Sequence, residues 1–162
     1  MQILILGLVY ILVLLAQLTF ANLLSVYSIK PDFVLIFVIY ISFRFGRLWG
    51  GVGGFAAGII EDSFITVLFG LNALCKTFVG FLVSVFPWRI TGRATPDAAL
   101  LLFLAALVHD FLFNVIYSLG SGTGLFFIFF RFALPGALYT LLFGSIFHAI
   151  FPGFLKFRYE HI

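Results

Sequence analysis

The sequence predicts an all-α polytopic membrane protein, six transmembrane helices in one compact bundle. Three observations predict it. Of the 162 residues, 64% are hydrophobic, 9% are charged and 24 are Phe, with a mean hydropathy of +1.25, whereas a soluble domain carries roughly 25% charged residues. Six apolar segments follow one another with almost no polar chain between them. Basic residues then collect on one side of the membrane when the six are read as spans.

The first segment runs over residues 2–21. Thr19-Phe20-Ala21 resembles a signal-peptidase site, but no Lys or Arg precedes the apolar run and the run is long, so retention is expected. The second, 31–45, opens with Pro31-Asp32, where Pro suits the first helical turn and Asp complements the helix dipole. At about 15 residues against the usual ~20 it is short for a span; it crosses with little tilt, thins the bilayer or re-enters.

The third segment, 48–68, follows after the Arg44-to-Arg47 turn, so the two form a tight helical hairpin. From that turn into the segment, Gly46, Gly50, Gly54 and Gly58 recur at a spacing of four, with Asp62 as the next step. Residues four apart share a helix face. A second stripe runs through Gly53, Ala57 and Glu61. Small residues at this spacing let membrane helices approach closely. Leu at Gly54 or Gly58 is expected to force helices apart, with Ala far milder. The fourth segment is 71–88, the fifth 98–119, and the sixth 125–151, interrupted by Pro135-Gly136. Pro96-Asp97 before the fifth echoes Pro31-Asp32. An inverted repeat is conceivable, but two independent helix starts are the simpler reading.

Six of the nine basic residues, Arg44, Arg47, Arg89, Arg93, Lys156 and Arg158, fall on one side. Only Lys30 lies in an opposite loop, since Lys76 and Arg131 fall inside spans. Both termini are therefore expected to be cytoplasmic.

The ionisable residues inside spans are Glu61, Asp62, Lys76, His109, Asp110, Arg131 and His148. Counted from the outer turns at 1.5 Å per residue, Asp62, Lys76 and Arg131 lie about 10 Å deep and Asp110 about 15 Å. Glu61 or Asp62 is expected to be held charged by Lys76 or Arg131, because an unpaired intramembrane charge is costly. Two readings stay open for the polar cluster, and evenly so for Glu61, Asp62 and Asp110: a polar site for a substrate, proton or headgroup, or charge pairs gluing a bundle that gains little from hydrophobicity in lipid; Lys76 and Arg131 read as their partners or as side chains that snorkel outward. His109 adjoins Asp110, but neighbours on a helix point about 100° apart and are not expected to form a dyad. His148 reads as interfacial.

Several function classes find no support. The sequence has no HExxH, GxSxG or Gly-rich loop ending in Lys-Ser/Thr, and no metal-ligand spacing. The single Cys75 permits no intrachain disulfide and reads as a small buried residue. A net charge of +3, dispersed along the chain, does not suggest nucleic acid. No catalytic residues, cofactor or metal are expected.

Pro31-Asp32-Phe33-Val34-Leu35-Ile36 opening a short helix, the Gly50-to-Gly58 run ending Gly58-Ile59-Ile60-Glu61-Asp62, and Gly70-Leu71-Asn72-Ala73-Leu74 together resemble the rod shape-determining protein MreD family. The similarity extends over nearly the whole chain, but its specific part is Pro31 to about Gly80. Pro31, Asp32, Gly54, Gly58, Asp62 and Gly70 are the family-like positions, and no chemical role transfers to them. The resemblance implies a non-catalytic inner-membrane subunit of the machinery that builds lateral peptidoglycan. Its implied partners are MreC, the actin-like MreB filament, the RodA glycosyltransferase and a class B penicillin-binding protein, besides membrane lipid. A homodimer is left open. It also implies a six-helix arrangement similar to the S components of energy-coupling-factor vitamin transporters. Vitamin capture is accordingly the second functional reading, and a lipid flippase a distant third.

Overall fold

In a computed structural model the described residues are 2–27, 29–65, 68–85 and 96–150. Arg89, Arg93, Lys156 and Arg158, and the His148 side chain, lie outside the described set. Among the described residues every element is helical: α1 (Gln2–Leu23), α2 (Phe33–Phe45), α3 (Arg47–Ile65), α4 (Leu71–Val85), α5 (Pro96–Tyr117), α6 (Leu125–Ile128), a π-helical turn (Phe129–Ala133) and α7 (Leu134–Ile150). Ala99–Tyr117 and Leu125–Phe147 are long and apolar enough to cross a membrane by length and composition; Leu6–Ala21, Phe33–Phe45 and Leu71–Val85 are shorter apolar helices.

The interruption at Pro135-Gly136 takes the form of the π turn. Pro135 lacks an N–H, and its ring crowds the carbonyl four residues back. The Leu134 N–H instead reaches the Phe129 carbonyl, five residues back, so the helix widens locally and α6 continues into α7.

Side-chain contacts fix how the helices run. Tyr10 stacks on Phe37 and Gln17 reaches Phe33, so α1 and α2 are antiparallel. The α2–α3 hairpin turns on Gly46 alone. Its φ of +84° lies in the region that favours glycine, and its N–H closes on the Ser42 carbonyl at 3.0 Å. Gly46 thus ends α2 with open space about it and does not belong to the packing face of α3.

Gly50, Gly54 and Gly58 form that face. A Cβ on Gly50 would strike Ser42 and the Gly80 carbonyl, one on Gly54 the Lys76 carbonyl, and one on Gly58 the Ala73 backbone. A Cβ on Gly80 would strike Gly50 in return. The backbones of α3 and α4 therefore meet antiparallel without side chains between them. The Ser42 hydroxyl donates to the Gly80 carbonyl at 2.6 Å and ties α2 to the same pair.

Helix α2 occupies the centre. Val34 and Val38 pack with Leu14 and Ala57. Leu35 and Ile39 pack with Val79, Val83, Leu101, Ala105, Ala106 and Ala137. The outward faces are also apolar: Leu12, Trp49, Phe55, Phe64 and Phe126 are all more than half exposed. Large apolar residues over the outside of a bundle mean a surface matched to a partner or a membrane.

Candidate functional site: a buried polar network at the start of α2

Helix α2 begins inside the protein, so its free N–H groups need internal acceptors. Three are found. The Asp32 N–H donates to Thr140 Oγ1 at 3.1 Å, the Phe33 N–H to Gln17 Oε1 at 2.8 Å, and the Leu35 N–H to Asp32 Oδ1 at 2.7 Å. Gln17 Nε2 also donates to the Pro31 carbonyl at 3.3 Å. Asp32 is thus the N-cap of α2, and the positive end of the helix dipole favours its carboxylate.

The other oxygen of Asp32 carries the network outward. Asp32 Oδ2 accepts from Lys76 Nζ at 2.7 Å. Lys76, from α4, is fully buried. Its ammonium also donates to Asn72 Oδ1 at 3.2 Å and lies 2.8 Å from Glu61 Oε2. The last contact is an ion pair out of line for a hydrogen bond, and Glu61 Oε2 has no hydrogen-bond partner among the described residues. Coulomb attraction at 2.8 Å does not depend on alignment, so the pair is an ion pair all the same.

His109, from α5, extends the chain of contacts. Its Nε2 is 3.5 Å from Lys76 Nζ; its Nδ1 is 3.0 Å from Asp110 Oδ1 and 3.8 Å from Asp32 Oδ2. An ammonium only donates, so the proton of a neutral ring belongs on Nδ1, where it points at Asp110. The expectation that adjacent positions cannot form a dyad is therefore corrected. Rotation of two side chains closes the gap that backbone phase leaves open. Asp110 packs against Gly136, where a Cβ would strike its Oδ2.

Glu61, Lys76 and Asp110 are brought together in this way; Asp62 and Arg131 serve elsewhere. The Asp62 carboxylate caps α4, accepting from the N–H groups of Gly70 at 3.0 Å, Asn72 at 3.3 Å and Ala73 at 3.1 Å. It also accepts from Asn72 Nδ2 at 2.9 Å. The ladder of Gly54 and Gly58 makes this possible, since it lets the end of α3 lie against the start of α4. Asp62→Ala is expected to lower stability by about 1–3 kcal/mol, the cost of orphaning buried donors; thermal unfolding in detergent reads it, and an unchanged melting temperature contradicts the capping role. Arg131 lies on the α1–α2 loop, with one long bond of 3.5 Å to the Tyr27 carbonyl and its guanidinium 5.4 Å from the Phe132 ring centroid.

The sequence pattern gives Gln17, Asn72 and Thr140 no part in this network, and marks Asp32 as a helix start and a family-like position without a charge partner. Asn72 stands one turn before Lys76 on α4, a spacing that places the two on one face. Gln17 and Thr140 are polar residues in apolar runs, which is itself a signal that a buried partner exists.

A family model for rod shape-determining protein MreD matches residues 1–158. The chain belongs to the MreD family. Comparisons with curated proteins and with solved structures gave no match. MreD is a membrane-protein family of the machinery that determines rod shape, not known for enzymatic activity. Within this chain, Pro31 and Asp32 start the central helix, Gly54 and Gly58 seat α4, and Asp62 and Gly70 form its cap. Among the described residues no group of three or more His, Cys, Asp and Glu is arranged to hold a metal ion. The network is a chain of contacts among its own members, with Lys76 and His109 linking Asp32, Glu61 and Asp110.

Proposed function

We propose that this MreD-family chain is a non-catalytic, six-span subunit of the bacterial cell-elongation machinery. It forms one integral domain over residues 1–162 of the inner membrane, has both termini in the cytoplasm, and acts as a scaffold with MreC. MreB, RodA and a class B penicillin-binding protein join it directly or through MreC.

The use made of the ionisable side chains carries this reading. Lys76 contacts both Glu61 and Asp32, and all three are almost inaccessible, which suits a rigid bundle acting through its outer faces. A vitamin-capture subunit needs polar groups presented to a ligand in an outward-facing pocket. A cavity beside α2, of about 370 Å³, is lined by apolar side chains such as Phe33, Phe37 and Phe143.

Co-expression with MreC is expected to make the two proteins co-elute from mild detergent and to raise the melting temperature, since a ligand of the folded state stabilises it by RT ln(1 + [L]/Kd). Common vitamins are expected to leave the melting temperature unchanged. A shift of several degrees with one vitamin, together with failure to retain MreC, would reverse the assignment.

A further inference from the structure

One contact of the polar network depends on the protonation of its acceptor. Lys76 Nζ lies 3.5 Å from His109 Nε2, and both residues are buried. An ammonium only donates, so the contact holds only while Nε2 keeps its lone pair. It joins α4 to α5. A proton on Nε2 would set two donors face to face, each on a cation.

The surroundings hold what each cation would then need. Nδ1 of the ring lies 3.0 Å from Asp110 Oδ1 and 3.8 Å from Asp32 Oδ2, so a protonated ring has two carboxylates beside it. The ammonium has Glu61 Oε2 at 2.8 Å. No hydrogen bond takes that oxygen among the described residues, although Glu61 is only 4% exposed. A small swing of the Lys76 end toward α3 aligns the bond. The charges point the same way. With a neutral ring the network sets three carboxylates against one ammonium; a proton on the ring adds a second cation, and buried charges need partners.

The ring is faced by Asp32 from α2, by Lys76 from α4 with Glu61 of α3 on the same ammonium, and by Asp110 from its own helix. On α4, Cys75 adds a buried thiol. On α7 the residues against the network are Gly136 and Thr140, which do not titrate, while Tyr139 is turned to the Leu24 carbonyl. On α1, Tyr10 donates to the Ala57 carbonyl, and Arg131 of the π turn faces the α1–α2 loop. Among these groups histidine is the one whose ordinary titration falls near neutral pH.

We infer that His109 Nε2 is a proton-binding site, and that its protonation moves the Lys76 ammonium off the imidazole and onto Glu61 Oε2. One proton is taken from solution, and no bond between heavy atoms changes. The α4–α5 contact is released and the α3–α4 contact gains a hydrogen bond, so one bundle holds two pairings of the same charges. The inference rests on the geometry of the network alone; failure of MreC to co-elute leaves it standing.

The test uses the whole chain in lipid bilayers, isotope-labelled at histidine and lysine nitrogen, with solid-state NMR spectra taken across pH. His109 is assigned among the three histidines by the loss of its signals in His109→Gln. Its ring is expected to titrate with one midpoint between about pH 5 and 8, protonated on Nδ1 alone above the midpoint and on both nitrogens below. A cross-peak between Lys76 Nζ and His109 Nε2 is expected above the midpoint and lost below it. Glu61→Gln keeps the size of the side chain and removes its charge, and should lower the midpoint by about one pH unit. A ring that does not titrate in this range overturns the inference, as does a cross-peak that survives protonation of the ring. So does a midpoint that Glu61→Gln leaves unmoved. Where Glu61→Gln fails to accumulate, the cross-peak in the native chain decides alone.

Discussion

Lys76→Met is expected to remove most of the folded protein. The substitution keeps the length and apolar stem of the side chain and deletes only the ammonium. It leaves Asp32 Oδ2 and Glu61 Oε2 buried without the charge that lies 2.7 and 2.8 Å from them. Removing one partner of a buried ion pair costs about 3–5 kcal/mol, because the remaining charge is neither solvated nor paired. That is a large part of the 5–15 kcal/mol by which a protein is normally stable. Neutralising the acids at the same time, as Lys76→Met with Asp32→Asn and Glu61→Gln, should restore part of the loss. Asparagine still offers an oxygen to the Leu35 N–H, so the cap of α2 survives. Melting temperature and monodisperse yield in detergent read the series. A single variant as stable as the native chain, or a triple variant no better than the single, would show that the network does not hold α2, α3 and α4 together.

Alanine at Gly54 or Gly58 should already be harmful, and leucine should prevent accumulation. The spacing alone suggests that one methyl group is tolerated. The geometry corrects this, because the atoms a Cβ would meet are the backbone of α4 at Lys76 and Ala73. Backbone cannot rotate aside as a side chain can, so the two helices must separate. Overpacking of this kind costs about 1–3 kcal/mol, and separation would also draw the Asp62 carboxylate away from the start of α4. Gly51→Ala is the control. It stands on the same helix, and its Cβ would meet only Phe81 Cβ at 4.0 Å, an ordinary contact. Similar melting temperatures for Gly54→Ala, Gly58→Ala and Gly51→Ala would show that the close approach of α3 and α4 has little energetic weight.

Helical class was legible because it rests on local properties. Apolar runs of helix length, glycines four apart and a proline in the sixth segment are read from neighbours along the chain. The same holds for the hairpin between α2 and α3, where a single residue separates the helices. Gly46 shows the limit of periodicity. It has the spacing of the ladder but lies at the turn, and only the sign of its φ angle separates the two uses.

The network was legible as an inventory and not as a set of pairs. Every charged member is conspicuous in an apolar sequence. Which base meets which acid depends on how far one helix is displaced along another, and no local pattern encodes that. Asp32 and Lys76 are 44 residues apart, and they meet because α2 is short and begins within the bundle. Asp62 sits one residue from Glu61, yet 100° of helical rotation sends it to the cap of α4.

The sequence by itself determined the helical class, the apolar outer surface, the small-residue face of α3 and the membership of the MreD family, all properties of composition and of spacing within a helix. Only the tertiary structure decided that Lys76 holds Asp32 and Glu61, that His109 reaches Asp110, and that Arg131 faces the α1–α2 loop. Those contacts depend on the rotation and offset between separate helices, which the packing of bare glycine backbone against backbone sets.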